Sequence, residues 1–190
     1  TSKRAEQNKV WVGLSKETAH QLGTPISSLM AWIEILKMNY PDDDLIPEMN
    51  KDIQRLQLIA DRFSKIGALP EPVPASLNEV MNHVIDYMDR RTSKNVKMVK
   101  EIPEQDVIVK MNASLFEWVI ENLSKNAVDA MGANGGQITL LVEETDDKAI
   151  IEVSDTGNGI RKKDLKNVFR PGFTTKKRGW GLGLSLAKRI

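Results

Sequence analysis

Asp155-Thr156-Gly157-Asn158-Gly159-Ile160 and, downstream, Gly179-Trp180-Gly181-Leu182-Gly183-Leu184 decide how the second half of this 190-residue chain is read. The first stretch follows an apolar, strand-like run at 149–154, and the second opens a helix. Glycine lets the main chain approach a ligand closely, and the N–H groups at a helix start attract phosphate. Neither cluster is distinctive alone. The second lacks the Gly-Lys-Ser/Thr ending of a P-loop and does not follow a strand, as a dinucleotide fingerprint would. An isolated Asp-x-Gly is ordinarily a turn cap. The intervening stretch 161–178 carries eight basic residues and one acid, Asp164, so it is either a solvated loop or an attractor of polyanions.

Upstream, 137–143 and 149–154 read as the strands of a hairpin turned at Thr145-Asp146-Asp147. Gly135-Gly136 ends a preceding helix that Asn112 can cap and that reaches Met131, with Leu115, Val119, Leu123 and Ala127 on one face. Within it, Glu121-Asn122-Leu123-Ser124-Lys125-Asn126-Ala127 sets Asn122 and Asn126 one turn apart on a shared face. Asparagine is a mediocre helix former. Two on one face are either solvated positions or carboxamide oxygens available to Mg2+, a hard cation that prefers oxygen. Val96–Glu101 and 107–110 read as short strands, and Ser76-Leu77-Asn78-Glu79 is a capping box for a helix running to about Arg91.

The densest proline cluster, Leu69-Pro70-Glu71-Pro72-Val73-Pro74, predicts an extended segment and a boundary between domains at 1–70 and 71–190. Before it, Ala19, Leu22, Ile26, Leu29, Ile33 and Leu36 recur at spacings of three and four. Met49, Ile53, Leu56, Ala60 and Phe63 do the same, after a break at Asn39-Tyr40-Pro41-Asp42-Asp43-Asp44. Two helices with one narrow apolar seam each cannot enclose a core, so the economical arrangement is a homodimeric four-helix bundle.

Composition narrows the function classes. Twenty-seven basic residues against 26 acidic ones leave a formal charge of +1, which argues against a nucleic-acid coat or a polybasic membrane binder. The absence of cysteine excludes disulfide scaffolds, thiolate zinc sites and cysteine nucleophiles. A hydrophobic fraction of 41% with no membrane-length apolar run points to a soluble, intracellular chain. An opening Thr1 without an initiator methionine points to a piece of a longer protein.

The order of the motifs is more specific than any one of them. An Asn-x-x-x-Asn helix, then Asp-x-Gly-x-Gly, then Phe169-Arg170-Pro171-Gly172-Phe173-Thr174-Thr175-Lys176, then Gly-x-Gly-Leu-Gly-Leu resembles the ATP-binding domain of sensor histidine kinases. That resemblance implies an α/β two-layer sandwich of the histidine kinase/chaperone/topoisomerase ATPase type, with ATP and Mg2+ as cofactors. It implies that Asp155 accepts the adenine amino group, with Gly157 and Gly159 bending close to the base and Ile160 as an apolar wall. Asn126 would ligate Mg2+, with Asn122 and Lys125 beside the phosphates. Phe169 and Phe173 would anchor a mobile lid. Thr174, Thr175, Lys176, Gly179 and the amides of Gly181, Leu182, Gly183 and Leu184 would meet the phosphates. Trp180 is open between stacking and packing.

Ala19-His20-Gln21-Leu22-Gly23-Thr24-Pro25-Ile26 is similar to the same family's histidine box. Alone, His20 reads as a surface histidine flanking the seam. With the downstream motifs, the resemblance makes it the nucleophile that takes the γ-phosphoryl group and passes it to an aspartate of a response regulator receiver domain. The family's acid after the histidine is replaced by Gln21, which cannot accept a proton at neutral pH; Glu17, one turn before His20, is the alternative base. Thr24 matches the position linked to dephosphorylating the regulator. Pro25 should kink the helix beside His20 and act as a hinge. Related ATPases that activate water carry a glutamate four residues before the magnesium asparagine. Here that residue is Asn122, which favours transfer to histidine over hydrolysis; a nucleotide-binding scaffold with lost transfer is the other class. The resemblance further implies a cytoplasmic portion, anchored to a membrane only through a segment outside 1–190, no nucleic-acid partner, and a domain truncated at Ile190.

Overall fold

The computed structural model describes residues 2–68, 70–177, 179 and 181–190. Thr1, Leu69, Arg178 and Trp180 lie outside the described residues, and with them the open reading of the Trp180 ring. The chain divides into two compact units, Thr1–Pro70 and Glu71–Ile190.

The first unit is a helical hairpin, α1 (Ser2–Asn39) and α2 (Leu45–Ala68). Its turn is built by the polar residues that break the pattern. The Tyr40 N–H donates to the Leu36 carbonyl at 2.8 Å, closing α1. The Asp43 carboxylate accepts from the Leu45 N–H at 2.9 Å, satisfying a donor that the start of α2 would otherwise leave bare. Pro25 offers no N–H to the Gln21 carbonyl, yet α1 runs through it unbroken.

Only part of each apolar seam is fully buried inside the hairpin. Ile26 and Ile33 of α1 meet Ile46 and Ile53 of α2, with Leu22, Leu36 and Ala60 partly buried around them. Each buried pair is seven residues apart, two turns along its helix, so it forms a single row. Leu29, Met49 and Leu56 belong to the interleaved row and are 42%, 44% and 40% exposed. The buried row of α2 also takes in Ile46, which the sequence stripe left out, while Met49 and Leu56 of that stripe are exposed in the single chain.

The second unit starts inside the proline cluster. β1 (Val73–Ser76) pairs antiparallel with β3 (Ile108–Met111), Pro74 lying opposite Lys110. Extended backbone was expected there, a paired strand was not; proline tolerates it because this two-stranded sheet makes it an edge position. α3 (Leu77–Asp89) follows, its first turn capped by the Ser76 hydroxyl, which accepts from the Glu79 N–H at 3.1 Å. Asn78 fastens that end to the 102–107 connection, donating to the Pro103 carbonyl at 2.8 Å and accepting from the Val107 N–H at 3.1 Å.

The main sheet has the order β2–β4–β5, with β2 (Val96–Glu101) parallel to β4 (Gly136–Glu144) and β4 antiparallel to β5 (Ala149–Asp155). β4 is central, and Ile138, Leu140 and Val142 alternate onto its buried face. Facing them are Val80, Met81, Val84 and Met88 of α3 and Ile120, Ala127 and Met131 of α4 (Ala113–Met131), giving a helix layer on a sheet layer around one core. The face expected for α4 is corrected too. Leu115 and Ala127 are buried, but Val119 and Leu123 are only half-buried. Successive i+4 steps advance about 40° each around a helix, so the four positions span about 120° and do not share one narrow face. α5 (Gly183–Arg189) packs beside α4. Among the described residues no helix is long and apolar enough to cross a membrane.

Ile138 and Leu140 are fully buried on the central strand. Ile138→Ala is therefore expected to destabilise the second unit by about 2–5 kcal/mol, read as a lowered midpoint in urea.

Candidate functional site

The core side of α4 sets the opposite side. Ile120, Ala127 and Met131 share one face, at intervals of two and three turns. Asn122, Asn126 and Asp129 lie about half a turn away and share the reverse face. Asn122 is half-buried, and its amide nitrogen is buried with no hydrogen-bond partner among the described residues. Ser124, fully buried on the core face, is likewise left with an unpaired hydroxyl. Asn126 Oδ1 accepts from Lys176 Nζ at 3.0 Å, and the same ammonium pairs with Asp129. Lys125 is turned aside, its ammonium 5.5 Å from the centroid of the Tyr87 ring on α3.

The Asp-x-Gly-x-Gly loop leaves the end of β5 and docks on the C-terminal end of α4. The Asn158 N–H donates to the Ala130 carbonyl at 3.0 Å. A side chain at Gly157 would place its Cβ 2.8 Å from Ala130 main-chain atoms, so this close approach admits only glycine. Asp155 is exposed, and its Oδ1 accepts from the Gly157 N–H at 2.7 Å. The turn-cap geometry is thus present, and it also fixes the direction of the carboxylate. Thr156, unremarked in the sequence, ties the loop to β4 by accepting from the Gln137 N–H at 3.0 Å. Gly159 and Ile160 follow at the surface, Ile160 53% exposed.

The basic stretch is wound into successive tight turns, with main-chain bonds from Asp164 to Arg161, Asn167 to Asp164, Arg170 to Asn167 and Phe173 to Arg170. Its single acid, Asp164, pairs with Arg161 at 3.2 Å. Phe173 is half-buried, whereas Phe169 is 47% exposed and its ring centroid lies 5.1 Å from the Lys188 ammonium. As an anchor, Phe169 thus has little core around it. Gly172 and Gly181 cross closely: the Gly172 N–H donates to the Gly181 carbonyl at 2.9 Å, and Gly181 has φ of +66°. Thr174 Oγ1 accepts from the Lys176 N–H at 3.1 Å, while Thr175 and Gly179 lie at the surface. Leu182 stands at the start of α5 with no side-chain cap, and Gly183 and Leu184 form its first turn.

The chain brings together, in the second unit, Asn122, Asn126, the 155–160 loop, Lys176 and the start of α5. These residues suit a magnesium nucleotide: two side-chain oxygens on α4 already hold a cation, an amide nitrogen is buried and unpaired, and a glycine cradle lies beside an exposed carboxylate. Among the described residues no group of three or more His, Cys, Asp or Glu side chains is placed to hold a metal, so a divalent ion here would take most of its ligands from phosphate and water. Asp129 escaped the sequence reading, although its position one turn after Asn126 was a usable signal.

His20 belongs to the first unit. It is exposed on α1, as its place beside the seam requires, and Thr24 is exposed one turn further on. Gln21 Nε2 donates to Glu17 Oε1 at 2.6 Å, so the glutamine holds the carboxylate one turn before His20.

Comparison with known proteins bears on these placements. Residues 111–190 match the family model of histidine kinase-, DNA gyrase B- and HSP90-like ATPases. Sporulation kinase C of Bacillus subtilis (strain 168) is 30% identical over 183 residues, covering 93% of this chain and 42% of that protein. Sensor histidine kinase ZraS of Salmonella typhi is 27% identical over 198 residues, covering 99% of this chain and 42% of that protein. The chain thus spans less than half the length of these relatives. The solved catalytic domain of the histidine kinase ThkA superimposes with a TM-score of 0.58 at 31% identity, covering 64% of this chain and 80% of that domain. With a helical hairpin ahead of an ATPase unit of this type, and at this identity, the chain belongs to the sensor histidine kinases.

Proposed function

We propose that this chain is the catalytic part of a protein-histidine kinase that phosphorylates His20 from MgATP. The observation that carries the reading is the pairing, in one chain, of an exposed imidazole on a helical hairpin with an ATPase-type unit whose glycine loop, asparagine face and basic segment converge. Asp155 would accept the adenine amino group and discriminate against guanine, whose corresponding edge carries an acceptor. Thr174, Thr175, Lys176 and the amides of 181–184 would receive the phosphates, and Asn126 would contribute an oxygen to Mg2+. Mg2+ held there would offset the negative charge that develops on the phosphates.

A neutral imidazole nitrogen of His20 attacks the γ-phosphorus. The P–N bond forms as the bond to the β–γ bridging oxygen breaks, ADP departs with that electron pair, and the ring loses its proton from the other nitrogen. Glu17 is the acceptor this chain offers for that proton, held in place by Gln21. The phosphoryl group then moves to an aspartate of a response regulator receiver domain, the P–N bond breaking as an acyl phosphate forms. Thr24, one turn from His20, would orient the water that hydrolyses the regulator's acyl phosphate to carboxylate and inorganic phosphate. The exposed row of Leu29, Met49 and Leu56 is the surface a second copy would cover to complete a four-helix bundle. We place the chain in the cytoplasmic part of a longer protein, with any membrane anchor outside residues 1–190.

Incubation with MgATP labelled in the γ position is expected to give a protein label that is lost in acid and survives alkali, as a phosphoramidate does. His20→Ala should abolish it while nucleotide binding persists; a label retained in that variant overturns the site. Glu17→Gln should slow labelling by about tenfold or more with little change in ATP affinity, measured as the initial rate at saturating ATP. Asp155→Asn should weaken ATP binding by about tenfold or more, since it replaces a charged acceptor, as titration calorimetry would register.

A further inference from the structure

Lys176 reaches back across the sequence to α4 and sets its ammonium between Asn126 Oδ1, at 3.0 Å, and the Asp129 carboxylate. The two oxygen donors are one turn apart on the helix face opposite the core, and together they make a seat for one cation. Both partners of the ion pair are open to solvent, Lys176 at 41% and Asp129 at 55% of side-chain surface. Exposed pairs of this kind are weak and salt-screened, so the ammonium can be exchanged for another cation.

Asp129 creates a problem for a polyphosphate bound beside Asn126. A bare polyanion would draw Lys176 away and face an uncompensated carboxylate, a like-charge contact. The adjacent cation of α4 offers no relief, because Lys125 is directed over the Tyr87 ring. A metal–nucleotide complex brings its own cation to the seat. The dication then neutralises Asp129, and the released ammonium pairs with phosphate.

We propose that Asp129 and Asn126 form a two-oxygen cation seat that Lys176 fills in this structure and yields to the metal of a metal–nucleotide complex, so that Asp129 makes binding selective for the metal-complexed nucleotide over the free one. The proposal rests on the nucleotide reading of this site. It assigns to Asp129 a part in metal binding, directly or through water, and to Lys176 the part of an internal counter-ion.

The test compares affinity for ATP in EDTA with affinity for MgATP, using titration calorimetry on the whole chain. The wild-type chain should prefer MgATP, and in Asp129→Asn that preference should shrink by about fivefold or more. Asp146→Asn makes the same charge change in the β4–β5 turn and should leave the preference intact. Without any nucleotide, amide hydrogen exchange across 173–177 should quicken in both Asp129→Asn and Lys176→Met, because each removes the tether of that segment to α4. A wild-type chain that binds neither form overturns the nucleotide reading and this proposal with it. A chain that binds both, and whose preference changes no more in Asp129→Asn than in Asp146→Asn, overturns the cation seat alone. Unchanged exchange at 173–177 in both variants overturns the internal counter-ion.

Discussion

Burial of Ile120, Ala127 and Met131 beneath β4 fixes the rotation of α4, and the rest of the second unit follows from it. A helix has one angular degree of freedom once its axis is laid on a sheet. When three side chains at two- and three-turn intervals must face the core, every other residue's direction is set. Asn122, Asn126 and Asp129 are thereby sent to the far side, where the 155–160 loop, the basic segment and α5 collect around them. The chemistry-bearing face is an outcome of core packing as much as of its own residues. A slip of the helix by one residue would turn the asparagines by about 100° and disperse the site without changing its composition.

The hairpin obeys a different constraint. Its intrachain contact centres on rows of residues seven apart, while Leu29, Met49 and Leu56 of the interleaved rows stay exposed. Ile26, Ile33, Ile46 and Ile53 suffice to hold two helices side by side, with Asp43 closing the turn. His20 lies off both rows, which leaves its imidazole exposed between the buried Ser15 and Ile26 of the same helix.

Periodicity made the helices and most strands legible, because apolar spacing of three and four, or of two, survives without tertiary information. The caps Ser76 and Asn112 were legible for the same reason: each hydroxyl or carboxamide acts on an amide three residues away. What escaped depends on contacts between distant segments. β1 is a strand only because 108–111 lies beside it, and its prolines otherwise speak for a linker. The α4 stripe was misplaced because i+4 steps drift, and only the sheet reveals which side the core is on. Gly157 was legible as a loop glycine, yet its reason is the Ala130 main chain, 27 residues back in sequence. Asp129 took its meaning from Lys176, 47 residues away.

The Gly157–Ala130 contact and the Lys176 pairing differ in kind. One is a main-chain contact so close that it excludes a methyl group; the other is a solvent-exposed pair of charges. The two ends of the site therefore differ in stiffness. On the nucleotide reading proposed above, a ring docking at Asp155 would meet a loop already in place at little cost in conformational entropy, while a phosphate chain would have to reorganise a segment to be held. Affinity at the first end would then rest on a preformed acceptor and at the second on exchange of counter-ions, so the salt content of the medium would act chiefly on the second.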